Sequence, residues 1–422
     1  MKICGIVAEY NPFHNGHKYQ IEQTKKLTNC DTVIAIMSGN FIQRGLPALF
    51  DKWTRAKMAI ENGVDVVIEL PTCYATSSAE FFAHGAIGIM DALNCVDVLS
   101  FGSKYNDIEV LKRIANVLHS EPEEYKKLLQ KELKKGTSFP IARSNALKNF
   151  LKKEFDSKLL ENILLDSNNI LGIEYLKALL TYDSPISPCA IERIGGDYNS
   201  TNIVGNICSA TGIREMLQSN NIDRLPDVIP EKSLEILINE LKLGKVPMQM
   251  KNFEKEILLL LRKLSADELS EISDITEGLE NVLKKSINEA FEIDDLIERI
   301  KTKRYTKTRV QRILIHTLLG IKKSMLQEQK ETPQYARVLA LSKNGKKILP
   351  ELVKNSRIPI VTSVSKFIKK ATDYQKEMLE LDILATNVYT LGYEVPNFKK
   401  INIDYTVPIQ EEKKESILSL KI

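Results

Sequence analysis

The sequence has no apolar run long enough to cross a membrane. Its longest such stretches, for example residues 257–261, fall far short of the roughly 20 residues that span a bilayer. The first strand-like run reaches Glu9 too early to serve as the apolar region of a signal peptide. We therefore expect a cytoplasmic protein without a membrane partner.

Cysteine and histidine are also sparse. The six cysteines contain no C-x-x-C pair and no dense framework, which argues against a zinc site and against a disulfide scaffold. We expect reduced, buried thiols and no metal site built from protein side chains. Two of the five histidines, His14 and His17, lie three residues apart.

The third shortage is of acidic residues near the C-terminus. The formal net charge of +4 hides a division: residues 1–300 carry 35 basic and 43 acidic side chains, whereas residues 301–422 carry 24 and 12. Clustered Lys and Arg attract polyanions and gain counterion release when they bind phosphates. The C-terminal part of the chain is therefore the candidate surface for nucleic acid.

The hydrophobic pattern predicts an α/β fold with a parallel sheet covered by helices. Short β-branched runs alternate with amphipathic stretches, as in βαβ units. The predicted strands are 3–7, 32–37, 64–69, 96–101 and 188–194, and the predicted helices are 19–27, 53–61, 107–119, 122–155, 169–180 and 211–219.

The same pattern predicts three domains. The first domain is predicted to cover residues 1–220, and the prolines after residue 220 mark its end. Residues 221–330 are predicted to be helical, and residues 331–422 a small basic α/β unit. That unit would contain strands 337–341 and 359–361, a helix 346–353 interrupted by Pro350, and a helix 374–391.

The strongest chemical signal lies between the first strand and the first helix. Here His14 and His17 flank Gly16, at the end of a strand where open α/β sheets bind ligands. At a helix N-terminus both imidazoles can donate hydrogen bonds to a phosphate, and a glycine lets the backbone approach it. The alternative is an Asn-Pro turn before a helix that merely contains two histidines.

A second phosphate-type signal spans residues 209–214, Ser-Ala-Thr-Gly-Ile-Arg. Ser209 or Thr211 would cap a helix, and Arg214 would lie one turn inside it as a cationic clamp. Taken alone, such a cap is more often structural than functional.

Together the two motifs resemble the H-x-G-H nucleotidyltransferase superfamily, whose late signature has Ser-Ser-Thr where this chain has Ser-Ala-Thr. The resemblance implies a Rossmann-like sheet and makes residues 1–220 an ATP-binding, nucleotidyltransferase-like catalytic domain. Longer segments resemble the bacterial tRNA(Met) cytidine acetate ligase family: GIVAEYNPFHNGH at 5–17, MSGNFIQRG at 37–45, NNILGIEY at 168–175 and IERI at 191–194. The likeness runs nearly the whole length of the chain.

The resemblance implies an enzyme that activates acetate with ATP to acetyl-adenylate. It would then acetylate N4 of the wobble cytidine, position 34, of elongator tRNA(Met). Magnesium is expected with the ATP, and His14, His17 and Arg193 are the expected catalytic residues. The expected ATP-binding residues are Val7, Ala8, Glu9, Tyr10, Asn11, Pro12, Phe13, His14, Asn15, Gly16, His17, Lys18, Tyr19, Gln20, Gly102, Asn168, Arg193, Ser209, Thr211 and Arg214.

Residues 301–312 hold six basic side chains and no acidic one. A solvated helix face usually mixes both signs, so this segment predicts contacts with an RNA backbone, and Tyr305 is placed to stack on a base. The expected tRNA-binding residues are Lys301, Lys303, Arg304, Lys307, Arg309 and Arg312.

Two other functions fit the residues. The first is a small-molecule adenylyltransferase whose basic region serves only for oligomerisation. The second is a non-catalytic RNA-binding protein with a vestigial nucleotide fold. Exchange of pyrophosphate that ignores acetate would favour the first alternative, and tRNA binding that ignores ATP and both histidines would favour the second.

Overall fold

A computed structural model describes residues 1–105, 107–194, 203, 205–219, 221–245, 247–276, 278–302, 305–328 and 332–412. Lys303 and Arg304, two of the expected tRNA-binding residues, lie outside the described residues. The strands in the described ranges are β1 Ile3–Ala8, β2 Thr32–Ser38, β3 Phe41–Ile42, β4 Leu46–Pro47, β5 Val66–Leu70, β6 Val98–Ser103, β7 Ser187–Glu192, β8 Ala336–Leu341, β9 Ile360–Val361 and β10 Gln410–Glu411.

Helices cover the sheet and form the region between β7 and β8. They are α1 Asn15–Thr28, α2 Lys52–Ile60, α3 Thr72–Ala75, α4 Ala79–Ala92, α5 Ile108–Ser120, α6 Glu123–Leu133, α7 Phe139–Leu151, α8 Ser157–Leu165, α9 Ser167–Thr181, α10 Ala210–Gln218, α11 Leu225–Val228, α12 Glu231–Lys242, α13 Glu254–Lys263, α14 Ala266–Ser270, α15 Leu279–Ile287, α16 Ile293–Ile300, α17 Lys307–Leu319, α18 Lys323–Glu328, α19 Lys343–Asn355, α20 Val364–Phe367 and α21 Asp373–Leu391. None of these described helices is long and apolar enough to cross a membrane.

The order of strands in the main sheet is β10-β8-β5-β2-β1-β6-β7, and β9 pairs with β8. Strands β1, β2, β5, β6 and β7 pair in parallel, which confirms the predicted Rossmann-like sheet. From β1 the chain adds β2 and β5 on one side, then returns to place β6 and β7 on the other. Ligands of open α/β sheets bind where the order reverses, here at the carboxyl ends of β1 and β6.

Burial explains why the central strands were readable from sequence. All seven residues of β2 and all five of β5 are buried. Both strands are therefore mainly apolar along their length, without a regular polar alternation, as strands covered by helices on both faces are.

The predicted elements and the structure differ at several places. The single helix predicted over 122–155 is two helices, α6 and α7, because Gly136 adopts a positive φ of 74° between them. Helix α19 continues through Pro350; Ile348 and Leu352 are buried on either side, and this packing outweighs the backbone bond that proline removes. Helix α4 was not predicted at all. It is buried on most sides and therefore shows no amphipathic period.

Strand β8 joins the edge of the main sheet, antiparallel to β5. A buried charge cluster lies at this junction: Lys52 Nζ is 2.7 Å from both Glu69 Oε1 and Asp404 Oδ1, and Arg337 Nη1 is 3.2 Å from Glu69 Oε2. Removing any one member would leave a buried charge without compensation. The C-terminal segment therefore shares a sheet and a polar core with the N-terminal strands, and the three-domain division stays a prediction.

Candidate active site

A cavity of about 360 Å³ opens at the carboxyl ends of β1, β6 and β7. Its walls come from the turn after β1, the first turns of α1, α9 and α10, the β3–β4 turn, the start of α4, and Thr308 of α17. This is the position that the reversal of strand order predicts. The cavity therefore brings together residues from both ends of the sequence.

His14 and His17 form hydrogen bonds within the first turn of α1, and their rings lie against each other. The Gly16 N–H donates to His14 Nδ1 over 3.1 Å, and the His14 N–H donates to His17 Nδ1 over 3.2 Å. The two rings stack with 3.7 Å between centroids. Tyr10, which is buried, packs its ring edge-on against His17. The histidines thus replace the Ser or Asp that usually caps a helix.

These hydrogen bonds fix the protonation of both rings. A nitrogen that accepts a hydrogen bond carries no proton, so a neutral ring with an accepting Nδ1 has its proton on Nε2. Burial, with the nearby Arg193 and Arg214 guanidinium groups, lowers the pKa of His14 to about 3. Burial, His14 and Arg193 lower the pKa of His17 well below its usual value. At neutral pH the pair is two neutral Nε2–H donors beside the cavity.

The β6 and β7 side of the cavity holds Gly102, Asn168 and Arg193. Arg193 Nη1 donates to Asn168 Oδ1 over 2.6 Å, and a Cβ added at Gly102 would meet Arg193 Cγ at 3.2 Å. Asp166, not Asn168, caps α9 by accepting from two backbone N–H groups. The side-chain amide of Asn168 is therefore available to orient the guanidinium of Arg193. Arg193 is exposed to solvent.

Helix α10 contributes the second phosphate-type motif. Ser209 is its N-cap and accepts from the Gly212 N–H over 3.1 Å. Arg214 donates to the carbonyl of Asn11 over 3.0 Å and to the hydroxyl of Thr211 over 2.9 Å. Arg214 therefore ties α10 to the turn after β1, which places the two sequence motifs side by side.

Arg55 organises the ends of β1 and β2. This fully buried residue donates to the carbonyls of Phe50, Glu9 and Ser38 at 2.9, 2.6 and 3.1 Å, and also to Gly39. One planar guanidinium thus satisfies carbonyls of two neighbouring strand ends, as its five donors allow.

Across β1 from Arg193, the turn between β3 and β4 supplies Gln43 and Arg44 to the cavity wall. The Gln43 N–H donates to Glu9 Oε1 over 3.1 Å, and its side chain donates to the Ser77 carbonyl over 3.3 Å. Burial raises the pKa of Glu9, although the Gln43 N–H and the Arg44, Arg214 and Arg55 cations act in the opposite direction. This end of the cavity also contains Phe82 of the unpredicted α4.

Most of the expected ATP-binding residues lie in the cavity wall. These are Val7, Ala8, Glu9, Tyr10, Asn11, His14, Gly16, His17, Tyr19, Gln20, Gly102, Asn168, Arg193 and Ser209. The expected residues outside the described wall are Pro12, Phe13, Asn15, Lys18, Thr211 and Arg214. Phe13 is buried behind Tyr10. The side-chain amide of Asn15 donates hydrogen bonds to the carbonyls of Asn206 and Asp227.

The basic segment reaches the same cavity through Thr308. Lys301 and Lys307 are exposed. Arg309 donates to the Asp274 carbonyl and the Thr276 hydroxyl, and Arg312 is largely buried and paired with Asp274 over 2.7 Å. We expected the Tyr305 ring to stack on a base. Tyr305 is only 8% exposed, so its ring is not presented to solvent for such stacking. The tRNA-binding roles of the six basic residues stay predictions.

The sequence matches to known proteins cover nearly the whole chain and agree with one another. Residues 1–404 match the HIGH Nucleotidyl Transferase family. A tRNA(Met) cytidine acetate ligase of Acetivibrio thermocellus is 43% identical over 412 residues, covering 96% of this chain and 99% of that protein. One of Caldanaerobacter subterraneus is 45% identical over 409 residues, covering 97% and 99%.

Solved structures agree with the sequence matches. The apo crystal structure of Thermotoga maritima TmcAL superposes with a TM-score of 0.95 at 36% identity, over 98% of this chain and 100% of that one. The same protein bound with alpha-thio ATP gives a TM-score of 0.93 at 36% identity, over the same shares of both chains. The described fold is therefore one that holds an ATP analogue in a relative.

Proposed function

Because this chain belongs to the tRNA(Met) cytidine acetate ligase family of HIGH nucleotidyl transferases, we propose that it acetylates a cytidine of tRNA at the expense of ATP. The observation that carries the proposal is the cavity itself. Its wall holds the paired histidines and Arg193, and Thr308 at the start of α17 also lines it.

The first step joins acetate to AMP. An acetate oxygen attacks the α-phosphorus of ATP, an acyl–phosphate bond forms, and pyrophosphate leaves. Charge builds on the α-phosphate oxygens as phosphorus becomes five-coordinate. In this proposal the Nε2–H groups of His14 and His17, with the cation of Arg193, stabilise that charge without taking up a proton themselves.

Magnesium is proposed to accompany the triphosphate. Among the described residues, no group of three or more His, Cys, Asp or Glu side chains is arranged to hold a metal ion. The described cavity wall contains two carboxylates, Glu9 and Glu192. Phosphate oxygens and water would therefore supply most of the magnesium ligands, as is usual for this ion.

The second step transfers the acetyl group to RNA. N4 of a cytidine attacks the acetyl carbonyl, a carbon–nitrogen bond forms, AMP leaves, and N4 loses a proton. An unpaired anticodon base can be splayed out to reach an enclosed carbonyl. We assign the wobble cytidine of elongator tRNA(Met) on the strength of the family alone, and place the protein in the cytoplasm, where such tRNAs are used.

A two-stage assay tests the proposal. Purified protein is incubated with ATP and labelled pyrophosphate, with and without acetate, and total tRNA is then added for nucleoside analysis. We expect acetate to stimulate exchange and N4-acetylcytidine to appear afterwards. Exchange that ignores acetate would instead support the small-molecule adenylyltransferase, and tRNA binding without exchange would support the non-catalytic RNA-binding protein.

A further inference from the structure

The two proposed steps differ in their need for a proton acceptor. Acetate attacks ATP as a carboxylate and has no proton to lose, whereas N4 of cytidine must lose one when it becomes an amide nitrogen. A base that serves the acetyl transfer is therefore not needed for the activation of acetate. Removing such a base should separate the two steps.

The histidines, phenols and thiols of the cavity wall are poorly suited to accept this proton. The rings of His14 and His17 already carry a proton on Nε2, and burial lowers the pKa of His14 to about 3. Phenols and thiols ordinarily keep their protons at neutral pH, and burial raises the pKa of Tyr10 and Tyr175. A carboxylate is the remaining kind of acceptor in the described wall.

Glu9 is the better placed of the two carboxylates in the described wall, Glu9 and Glu192. It follows β1 and is half-buried, whereas Glu192 is exposed at the end of the edge strand β7. The Glu9 carbonyl accepts from Arg55 over 2.6 Å, and Oε1 accepts from the Gln43 N–H over 3.1 Å. The hydrogen bond that the described residues make to this carboxyl group goes to Oε1, so Oε2 is the oxygen that can take a proton from a substrate.

Glu9 is also linked to both functional parts of the site. Its neighbour Tyr10 packs edge-on against His17 of the histidine pair. The β3–β4 turn that holds Oε1 packs against α17, where a Cβ at Gly45 would meet the backbone nitrogen of Arg312 at 2.2 Å. The first turn of α17 lines the same cavity. Glu9 therefore connects the side that holds the histidines with the helix of the predicted RNA-binding segment.

Charged and titratable groups act on Glu9 from four elements. They are Arg44 of the β3–β4 turn, Arg55 of α2, Arg214 of α10 and Tyr175 of α9. Burial raises the pKa of the Glu9 carboxyl, while the Gln43 N–H and the three guanidinium groups act in the opposite direction. A raised pKa makes a carboxylate a stronger proton acceptor, and a general base works best when its pKa lies near the working pH.

We propose that Glu9 is the general base of the acetyl transfer. Its Oε2 takes the proton from N4 as N4 bonds to the acetyl carbon and the bond from that carbon to the AMP oxygen breaks. AMP leaves with the electron pair of that bond, and the proton passes from Glu9 to water afterwards. The inference rests on the proposed function and adds the residue that completes its second step. Arg55 and Gln43 are positioning residues for this carboxyl group.

The test compares the two steps in one preparation. Acetate-dependent exchange of labelled pyrophosphate measures activation, and single-turnover transfer of a labelled acetyl group to total tRNA measures the second step. For Glu9→Gln we expect the ratio of the transfer rate to the exchange rate to fall about 10²- to 10⁴-fold, the usual contribution of a general base. The glutamine oxygen can still accept from the Gln43 N–H. Glu154→Gln is the matched control, since Glu154 pairs with Arg113 on the surface, and the ratio should not change.

The pH dependence of transfer gives a second measurement. The wild-type rate should rise with pH as Glu9 loses its proton and level off above its pKa, and this rise should be absent in Glu9→Gln. Glu9→Asp keeps the base one methylene further back and should give a ratio between the two.

Two results would overturn the assignment. An unchanged ratio in Glu9→Gln would show that another group, such as AMP itself, takes the proton. An equal loss in both steps would show that Glu9 serves only ATP binding or the local fold. If the wild-type protein shows no acetate-stimulated exchange, the proposed function fails instead, so the two failures are distinguishable.

Discussion

His14 and His17 hold each other in place: each Nδ1 accepts a backbone N–H of the same turn, and the rings stack with 3.7 Å between centroids. The contacts that cap α1 are therefore also the contacts that direct both Nε2–H groups. A single arrangement serves the stability of the helix and the electrostatics of the site. Substitutions that keep one of these roles and remove the other can separate them.

His14→Asn tests that separation. Asparagine is a good N-cap but carries no second donor in the position of Nε2, so we expect acetate-dependent exchange to fall about 10²- to 10³-fold, as for loss of one oxyanion-hole donor. His14→Ala should lose a similar amount of activity and, in addition, about 1 kcal/mol of stability through the lost cap. Urea unfolding beside the exchange assay measures both quantities. An active His14→Asn enzyme would contradict the assigned role.

Stability should fall at mildly acidic pH because His14 is held neutral. Its pKa is about 3 in the folded chain against 6.5 as the ordinary value, so between these values the unfolded chain binds more protons. The stability that depends on neutral His14 is fully present above pH 6.5. It is lost as pH falls toward 3, at roughly 1.4 kcal/mol of unfolding free energy per pH unit.

The matched comparison is the difference in unfolding free energy between the wild type and His14→Asn, measured by urea unfolding from pH 8 to pH 5. We expect this difference to be constant above pH 7 and to shift against the wild type below pH 6.5. A difference that does not change with pH would show that His14 titrates normally.

The basic segment should divide into two classes of residue. Lys307 is exposed at the start of α17, whereas Arg312 is largely buried against Asp274. Lys307→Gln should weaken tRNA binding and reduce the slope of log K against log salt by about 1, with unchanged stability. Arg312→Gln should instead cost about 1–3 kcal/mol of stability, because Asp274 loses its partner. Filter binding over a salt series and urea unfolding measure the two effects, and equal behaviour of the two variants would contradict the division.

The buried charges between α2, β5 and β8 predict a large effect of Asp404→Asn. Asp404 is bonded to both Lys52 and Arg337, and its side chain is fully buried. Removing its charge should destabilise the chain by about 3–5 kcal/mol. The control Glu411→Gln breaks an exposed pair with Lys346 and should change stability by less than about 1 kcal/mol. Urea midpoints that coincide for both variants would rule out an energetic role for the cluster.

The sequence predicted the parts of the site that are local in the chain. His14, Gly16 and His17 follow one strand, and Ser209 caps one helix, so spacing and residue type were enough to find them. Gly102, Asn168 and Arg193 were reached through family resemblance, and the structure places all three in the cavity wall. Their ATP-binding roles stay predictions until they are measured.

What the sequence did not reveal depends on contacts between distant residues. Arg44 reaches the cavity because its turn is pinned between Glu9, Ser77 and the backbone of Arg312. Helix α4 was missed because it is apolar on most sides and contains two glycines. At Gly85 a Cβ would meet the Tyr74 ring at 2.3 Å. A helix packed in this way on most sides has no amphipathic period in its sequence.

The central claim is that one chain both activates acetate and delivers it to RNA. The most direct measurement supplies isotopically labelled acetate, ATP and tRNA to the purified protein and analyses the digested nucleosides by mass spectrometry. We predict label in N4-acetylcytidine only when ATP is present, and labelling about 10²- to 10³-fold slower with His14→Asn. Unlabelled cytidine in the presence of all three substrates, or labelling that does not need ATP, would contradict the account.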